Sequence, residues 1–317
     1  MEYRYSGKSG LQLPLISLGL WHNFGSVDPY DNARAMLLRA WKQGITHFDI
    51  ANNYGPEPGS AETTFGRVLR EDLAAHRDEM IISSKAGYLM WNGPYGDGGS
   101  RKYLMASCNQ SLRRTGLDYF DIFYSHRYDP NTPIEETMQA LVDIVHAGKA
   151  LYAGISNYPA DKQQECYDYL RAAHVPCVIS QYKANMLFED TLRNNLSVAE
   201  ENGSGFICFS PLAQGLLTDR YLHGIPEGSR ATKEVFLHRA QITEDVIART
   251  RRLSEIAASR GQSVAQMALA WLLAHEGVTS VIIGASSVAQ LDNNLHSVNN
   301  ITFSEHELQA IRRAIAE

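Results

Sequence analysis

Short apolar runs recur along the chain at near-regular intervals, and most are followed by a stretch whose apolar residues repeat with a helical period. Eight runs read as buried strands: LISLGL (15–20), THFDIA (46–51), MIISSK (80–85), YFDIFYS (119–125), LYAGIS (151–156), PCVISQ (176–181), GFICFS (205–210) and SVIIGAS (280–286). Between them lie amphipathic segments, among them PYDNARAMLLRAWKQG (29–44), SRKYLMASCNQSLRRTG (100–116) and IEETMQALVDIVHAGK (134–149). Pro133 and Pro159 stand where helices should start, and Gly44, Gly116, Gly148, Gly203 and Gly277 near where they should end. Strand–helix alternation of this kind predicts βα units around a parallel sheet.

Eight such units suit a (β/α)₈ TIM barrel, an α/β fold of about 250 residues. A doubly wound Rossmann sheet is the competing architecture. It calls for a glycine fingerprint after the first strand, and LGLWHNFGSVDPY (18–30) has no GxGxxG. Ahead of the first barrel strand, YRYSGKSGLQLPLIS predicts an N-terminal β-hairpin that plugs the barrel bottom. Extra helices are expected at TRRLSEIAASRG (250–261), SVAQMALAWLLAHEG (263–277) and SEHELQAIRRAIAE (304–317). No linker or composition break divides the chain, so residues 1–317 read as a single barrel domain.

Composition narrows the partners. With 44% hydrophobic and 20% charged residues the chain is ordinarily globular. A formal net charge of −6 argues against nucleic-acid and anionic-membrane partners. The apolar runs are too short to span a bilayer. MEYRYSGKSG lacks the apolar core of a signal peptide, which points to a cytoplasmic protein. Cys108, Cys166, Cys177 and Cys208 show neither CxxC nor metal-ligand spacing and read as buried free thiols; no metal site is expected.

In a barrel, chemistry gathers at the C-terminal ends of strands. Asp49, Tyr54, Lys85 and His126 each sit at or just past such an end. Carboxylate, phenol, amine and imidazole together suit proton transfer to a carbonyl. A phenol with a pKa of about 10 is a weak acid at neutral pH, and a lysine held against it favours phenolate. Asp49 is expected to hold that lysine charged, and His126 to hydrogen-bond the carbonyl oxygen. Taken singly, each residue is more often structural: a buried ion pair, a strand-end tyrosine, a satisfied core histidine.

The order and spacing of these four residues, with FDIANNYGPEPGSAE (48–62), IISSK, FYSHR, GISNY, FSPLAQGLL (209–217) and the GASS–AQLDNN block (284–294), resemble the aldo-keto reductase family over essentially the whole chain. SLGLWHNFG (17–25), the loop in WNGPYGDGGSRKYL (91–104) and PLAQGLLT (211–218) resemble the group holding potassium-channel β subunits and a bacterial L-glyceraldehyde 3-phosphate reductase. The resemblance implies Asp49, Tyr54, Lys85 and His126 as catalytic tetrad and NADP(H) as cofactor, extended across the barrel mouth. Trp21 and Asp49 border the cofactor on this reading. Ser156, Asn157 and Gln181 would hold the carboxamide, and Phe209 would stack under the nicotinamide.

Ser210, Leu212, Gln214 and Gly215 would then approach the pyrophosphate, with Arg220 and Arg230 as basic partners. Gly284, Ser286, Gln290 and Asn294 would receive the adenosine end. Outside the motif, both arginines would read as solvated surface residues. Many family members have an arginine where this chain has Gln290, which carries no charge toward a 2′-phosphate. The channel-subunit group shares that feature and is still associated with NADPH, so NADP is expected over NAD, with Arg230 and Ser286 deciding.

For substrate, the rim should hold Trp21, His22, Tyr54, Trp91, His126 and Arg127. Core packing is an equal reading for the tryptophans, as is a surface ion pair for Arg127 in place of a phosphate anchor. The resemblance implies small aldehydes, with L-glyceraldehyde 3-phosphate foremost and methylglyoxal as a side substrate. It also implies a homo-oligomer, a tetramer or larger. The alternative function is that of a cofactor-sensing regulatory subunit, with turnover incidental.

Overall fold

A computed structural model describes residues 1–222, 224–226, 232 and 237–316. Strands β1 (Tyr3–Tyr5) and β2 (Gln12–Pro14) pair antiparallel as a hairpin. The remaining strands are β3 (Ile16–Gly19), β4 (His47–Asp49), β5 (Ile81–Ala86), β6 (Phe120–Ser125), β7 (Ala150–Ser156), β8 (Cys177–Lys183), β9 (Gly205–Phe209) and β10 (Val278–Ile283). They close into a parallel barrel in the order β10-β3-β4-β5-β6-β7-β8-β9. All eight expected strands are therefore present. The last one ends earlier than its apolar run suggested, leaving Gly284 and Ser286 in the loop beyond it.

The helices between them are α1 (Tyr30–Lys42), α2 (Ser60–Val68), α3 (Arg101–Thr115), α4 (Ile134–His146) and α5 (Ala160–Ala172). The chain continues through α6 (Asp190–Asn194), α7 (Leu196–Glu201), α8 (Glu244–Ser259), α9 (Val264–Leu273), α10 (Val288–Leu295) and α11 (Glu305–Ala316). Pro133 and Pro159 occupy the position before α4 and α5. Gly116 ends α3 at φ 72°, a left-handed conformation that glycine adopts without a Cβ clash. The outward side chains of the strands, such as Leu18, Phe48, Ile82 and Phe123, pack with the helices in one core. Each such burial contributes roughly 1.5–3 kcal/mol.

The inward side chains follow two rules. One side of the lumen is apolar: Ile122, Tyr124, Ile179, Ile207 and Ile282 pack on Leu11 and Leu13, so the hairpin does plug the bottom. The arc from β10, which carries Ser280 as well as Ile282, through β3 and β4 to β5 holds the buried polar residues Ser280, Ser17, His47, Asp49, Ser83 and Lys85. All four cysteines are buried and free.

Candidate active site

Asp49 ends β4, and Lys85 lies beside it one strand over, because β4 and β5 pair with Asp49 against Ser83. The inward period of two then brings the Lys85 ammonium above the carboxylate. Lys85 Nζ donates to Asp49 Oδ2 at 2.6 Å and to the Ile50 carbonyl at 2.7 Å. Both side chains are buried. Tyr54 follows in the loop after β4, its ring centroid 5.0 Å from Lys85 Nζ. His126 stands one residue past β6, where its amide donates to the Ala86 carbonyl at 2.9 Å. Its ring meets Tyr54 edge-on at 5.8 Å and Tyr88 at 4.7 Å. The four expected groups converge.

Burial sets their electrostatics. The Lys85 ammonium is pushed below its usual pKa by burial, against the pull of Asp49. His126 lies well below the ordinary histidine value, through burial and then the charges of Lys85 and Arg127, so its imidazole is neutral. The Tyr54 phenol moves the other way from the sequence expectation: burial, then Asp49, raises it well above 10. The lysine directs two of its donors at Asp49 and Ile50 rather than at the phenol, and burial and the Asp49 charge both disfavour phenolate.

A cavity of about 590 Å³ opens on Asp49 and Tyr54 and runs along the barrel mouth to α10. Trp21, Phe209, Ser210, Leu212, Gln214, Gly215, Arg220, Gly284, Ser286, Gln290 and Asn294 all line it. Trp21 stacks on His22 at 4.3 Å and tilts toward Tyr54 at 6.3 Å. Ser210, Ala213 and Gln214 have φ of 52°, 47° and 59°, and Gly215 has 99°. For the non-glycine residues each left-handed conformation costs roughly 1–2 kcal/mol, and the turn closes on itself, the Ala213 amide donating to the Ser210 carbonyl at 3.1 Å and the Gly215 amide to the Leu212 carbonyl at 2.8 Å. At the far end Asn294 is buried with its Nδ2 unpartnered. Gln290 Oε1 accepts from the Ser286 amide at 2.8 Å and from its hydroxyl at 2.9 Å. Arg230 lies outside the described residues.

Ser156, Asn157 and Gln181 are held in the wall behind Asp49 and do not line this cavity. Gln181 Nε2 donates to Asp49 Oδ1 at 3.0 Å, and Ser156 Oγ to the Gln181 carbonyl at 2.8 Å. Asn157 Nδ2 donates to the His126 carbonyl at 3.1 Å. Arg127 is ion-paired: it donates to Asp97 at 2.8 Å and to the Gly87 carbonyl at 2.7 Å, with its guanidinium over Tyr88. Trp91 packs on Tyr103 at 5.4 Å, outside the cavity lining.

Several residues at the site were missed. His47 and Ser83 sit two positions before Asp49 and Lys85, so strand periodicity alone places them on the same inward face. Ser263, Val264 and Ala265 line the cavity from the start of α9, where the SVAQ capping box (263–266) marks a helix end. Tyr88, which packs against His126, has no such marker. Among the described residues no group of three or more His, Cys, Asp or Glu is placed to hold a metal, and no helix is long and apolar enough to cross a membrane.

Comparison with known proteins agrees with this geometry. The chain is 56% identical over 322 residues to the L-glyceraldehyde 3-phosphate reductase of Escherichia coli (strain K12), covering 100% of this chain and 93% of that protein. It is 34% identical over 308 residues to a probable voltage-gated potassium channel subunit beta of Arabidopsis thaliana, covering 95% and 92% respectively. A putative subunit of the same kind from Schizosaccharomyces pombe is 33% identical over 313 residues, covering 95% and 89%. A model of the Aldo/keto reductase family matches residues 15–316, from the threshold of β3 to the end of α11. The chain belongs to the aldo/keto reductase family of oxidoreductases.

Proposed function

We propose that the protein reduces short aldehydes to alcohols with NADPH, L-glyceraldehyde 3-phosphate foremost, and methylglyoxal as a side substrate. The observation that carries this reading is the meeting of Asp49, Tyr54, Lys85 and His126 beside a long cavity whose end Asp49 and Tyr54 line. The left-handed turn 210–215 and the orphaned amide of Asn294 fit a dinucleotide lying along that cavity. When bound there, a nicotinamide cofactor supplies the hydride. On this reading Phe209 and Trp21 border its ring, the Leu212 and Gln214 amides face its pyrophosphate, and Arg220, Ser286, Gln290 and Asn294 its adenosine end. The NADP preference rests on Arg230 and Ser286.

The chain's own groups do the rest. Neutral His126 donates a hydrogen bond to the carbonyl oxygen and fixes its approach. As the carbonyl carbon gains hydride, its oxygen takes the proton of the Tyr54 hydroxyl, leaving an alcohol and a phenolate. The raised pKa of Tyr54 keeps the proton in place until then; an alkoxide is a stronger base than phenolate, so transfer runs downhill once charge develops. Lys85, held by Asp49, sits 5.0 Å from the ring and stabilises the phenolate left behind. Solvent then returns a proton to Tyr54.

The identity to an L-glyceraldehyde 3-phosphate reductase supports that substrate, and we assign its phosphate to Arg127, which in this structure pairs with Asp97 outside the cavity lining. The test is NADPH oxidation with both glyceraldehyde 3-phosphate enantiomers, methylglyoxal and other short aldehydes, for wild type and Tyr54→Phe. Removing the proton donor should lower kcat by about 10²- to 10⁴-fold. Equal rates in the two proteins would discard the tetrad assignment. The similarity to channel β subunits supports a second reading, a cofactor sensor. A wild type that binds NADPH tightly and oxidises it with no aldehyde would establish that one instead.

A further inference from the structure

The polar arc of the lumen needs a reason. Isoleucines fill other inward positions, so packing alone asks for nothing polar at Ser280, Ser17, His47 and Ser83, and burying each group without a partner costs free energy. All four side chains are fully buried. They form one chain of hydrogen bonds. Ser280 Oγ and Ser17 Oγ are 2.7 Å apart, Ser17 Oγ and His47 Nδ1 2.8 Å, and His47 Nε2 and Ser83 Oγ 3.0 Å. Ser83 Oγ then donates to Asp49 Oδ1 at 2.8 Å.

The carboxylate end dictates each proton from Ser17 onward. Ser83 has one hydroxyl proton, and Asp49 accepts it. Ser83 Oγ can therefore only accept from His47, which requires the Nε2–H tautomer. His47 Nδ1 is then an acceptor and takes the hydroxyl proton of Ser17. From Ser17 onward every donor points toward Asp49, while the Ser280 hydroxyl lies between Ser17 Oγ at 2.7 Å and the Leu15 carbonyl, its acceptor at 3.4 Å. Burial also pushes the His47 pKa down to about 4, so the ring stays neutral at physiological pH and the direction is not reversed.

We infer that His47 is a positioning residue: through Ser83 it fixes the rotamer of the Asp49 carboxylate, and so the place of Lys85 beside Tyr54. The inference rests on the tetrad reading above. Asp49 Oδ1 is shared between Ser83 and Gln181, while Oδ2 faces Lys85. Release of Ser83 leaves Gln181 alone on Oδ1, and the carboxylate turns away from the lysine. No contact between His47 and the cavity is needed; it acts three bonds removed.

The test combines nitrogen-15 NMR of histidine-labelled protein with kinetics on glyceraldehyde 3-phosphate and NADPH. His47 should show protonated Nε2 and bare Nδ1 between about pH 6 and 9, and Ser83→Ala should shift its Nε2 resonance. Ser83→Ala and His47→Asn, whose amide is too short to reach Ser83, should each lower kcat about tenfold with KM little changed. His47→Gln, which places an amide nitrogen near the Nε2 position, should recover most of that loss. The double variant Ser83→Ala/His47→Asn should lose about tenfold as well, not about a hundredfold, because both changes cut one chain.

The Nδ1–H tautomer, multiplicative losses, or wild-type kcat in Ser83→Ala would each overturn the inference. If His47→Asn does not fold, Ser83→Ala, His47→Gln and the tautomer decide. Unimpaired turnover by Tyr54→Phe would instead remove the tetrad reading, and the tautomer would still report whether His47 is tied to Asp49.

Discussion

Asp49→Asn is the most revealing change at this site, because it keeps the side chain's shape and removes its charge. Asn Oδ1 still accepts from Ser83 and Gln181, which now donate to Asp49 at 2.8 and 3.0 Å. The other arm becomes an amide nitrogen facing Lys85 Nζ, where the carboxylate oxygen stood at 2.6 Å. Two donors then oppose each other in a fully buried place. Breaking a buried pair by removing one partner typically destabilises by about 3–5 kcal/mol. The lysine escapes part of that by giving up its proton in the folded state, since burial already lowers its pKa.

The sign follows from proton linkage. In the variant the folded state holds one proton fewer on Lys85 than the unfolded chain, where lysine titrates near its ordinary value. Stability therefore rises with pH, by up to about 1.4 kcal/mol per pH unit below that value. In the wild type Asp49 opposes the shift, so its slope over the same range is shallower. Urea unfolding followed by tryptophan fluorescence between about pH 6 and 9 gives both slopes. Parallel lines for the two proteins would show that Asp49 is not what keeps Lys85 charged, and the electrostatic account of the tetrad would fall.

Other consequences are simpler to measure. His47 and His126 are both held neutral with depressed pKa values, so the unfolded chain binds more protons below about pH 6.5; stability should fall with acid by up to about 1.4 kcal/mol per pH unit for each, and a flat acid limb in chemical denaturation would contradict this. Arg127→Leu should raise KM for glyceraldehyde 3-phosphate more than for methylglyoxal, whereas Asp97→Asn should lower it by freeing Arg127 from its 2.8 Å partner; equal effects on both substrates would take Arg127 out of phosphate binding. Gln290→Arg should raise the affinity ratio of NADPH over NADH several-fold in fluorescence titration, an effect that shrinks with added salt; an unchanged ratio would place the 2′-phosphate elsewhere.

How much of this was legible in the chain depends on which side of a strand a residue faces and on what stands opposite it. Asp49, Lys85 and His126 were readable because a polar group closing an apolar run is conspicuous, and the barrel then dictates where run ends meet. The cavity wall from Phe209 to Gly215 and from Gly284 to Asn294 was readable through its motifs, although the left-handed turn at Ser210, Ala213 and Gln214 has no compositional sign such as a glycine run. What escaped reading depends on pairs distant in sequence. Arg127 meets Asp97 only because loop 91–99 folds back over β6, and nothing local to either residue announces the other.

The Tyr54 phenol shows the same limit in energetic form. Proximity to lysine argues for a lowered pKa, yet the direction is decided by how much water the fold removes and by where the lysine's donors point, both tertiary quantities. His47 is the sharper case. In THFDIA it stands between Thr46 and Phe48 with nothing local to set it apart, and in the structure it is a fully buried, hydrogen-bonded histidine. Only the closed barrel shows what satisfies it: serines from β3 and β5, the latter bonded in turn to the carboxylate two residues along its own strand. A residue can thus be structural by every local criterion and still govern the chemistry, because the same hydrogen bonds that make its burial tolerable also orient Asp49.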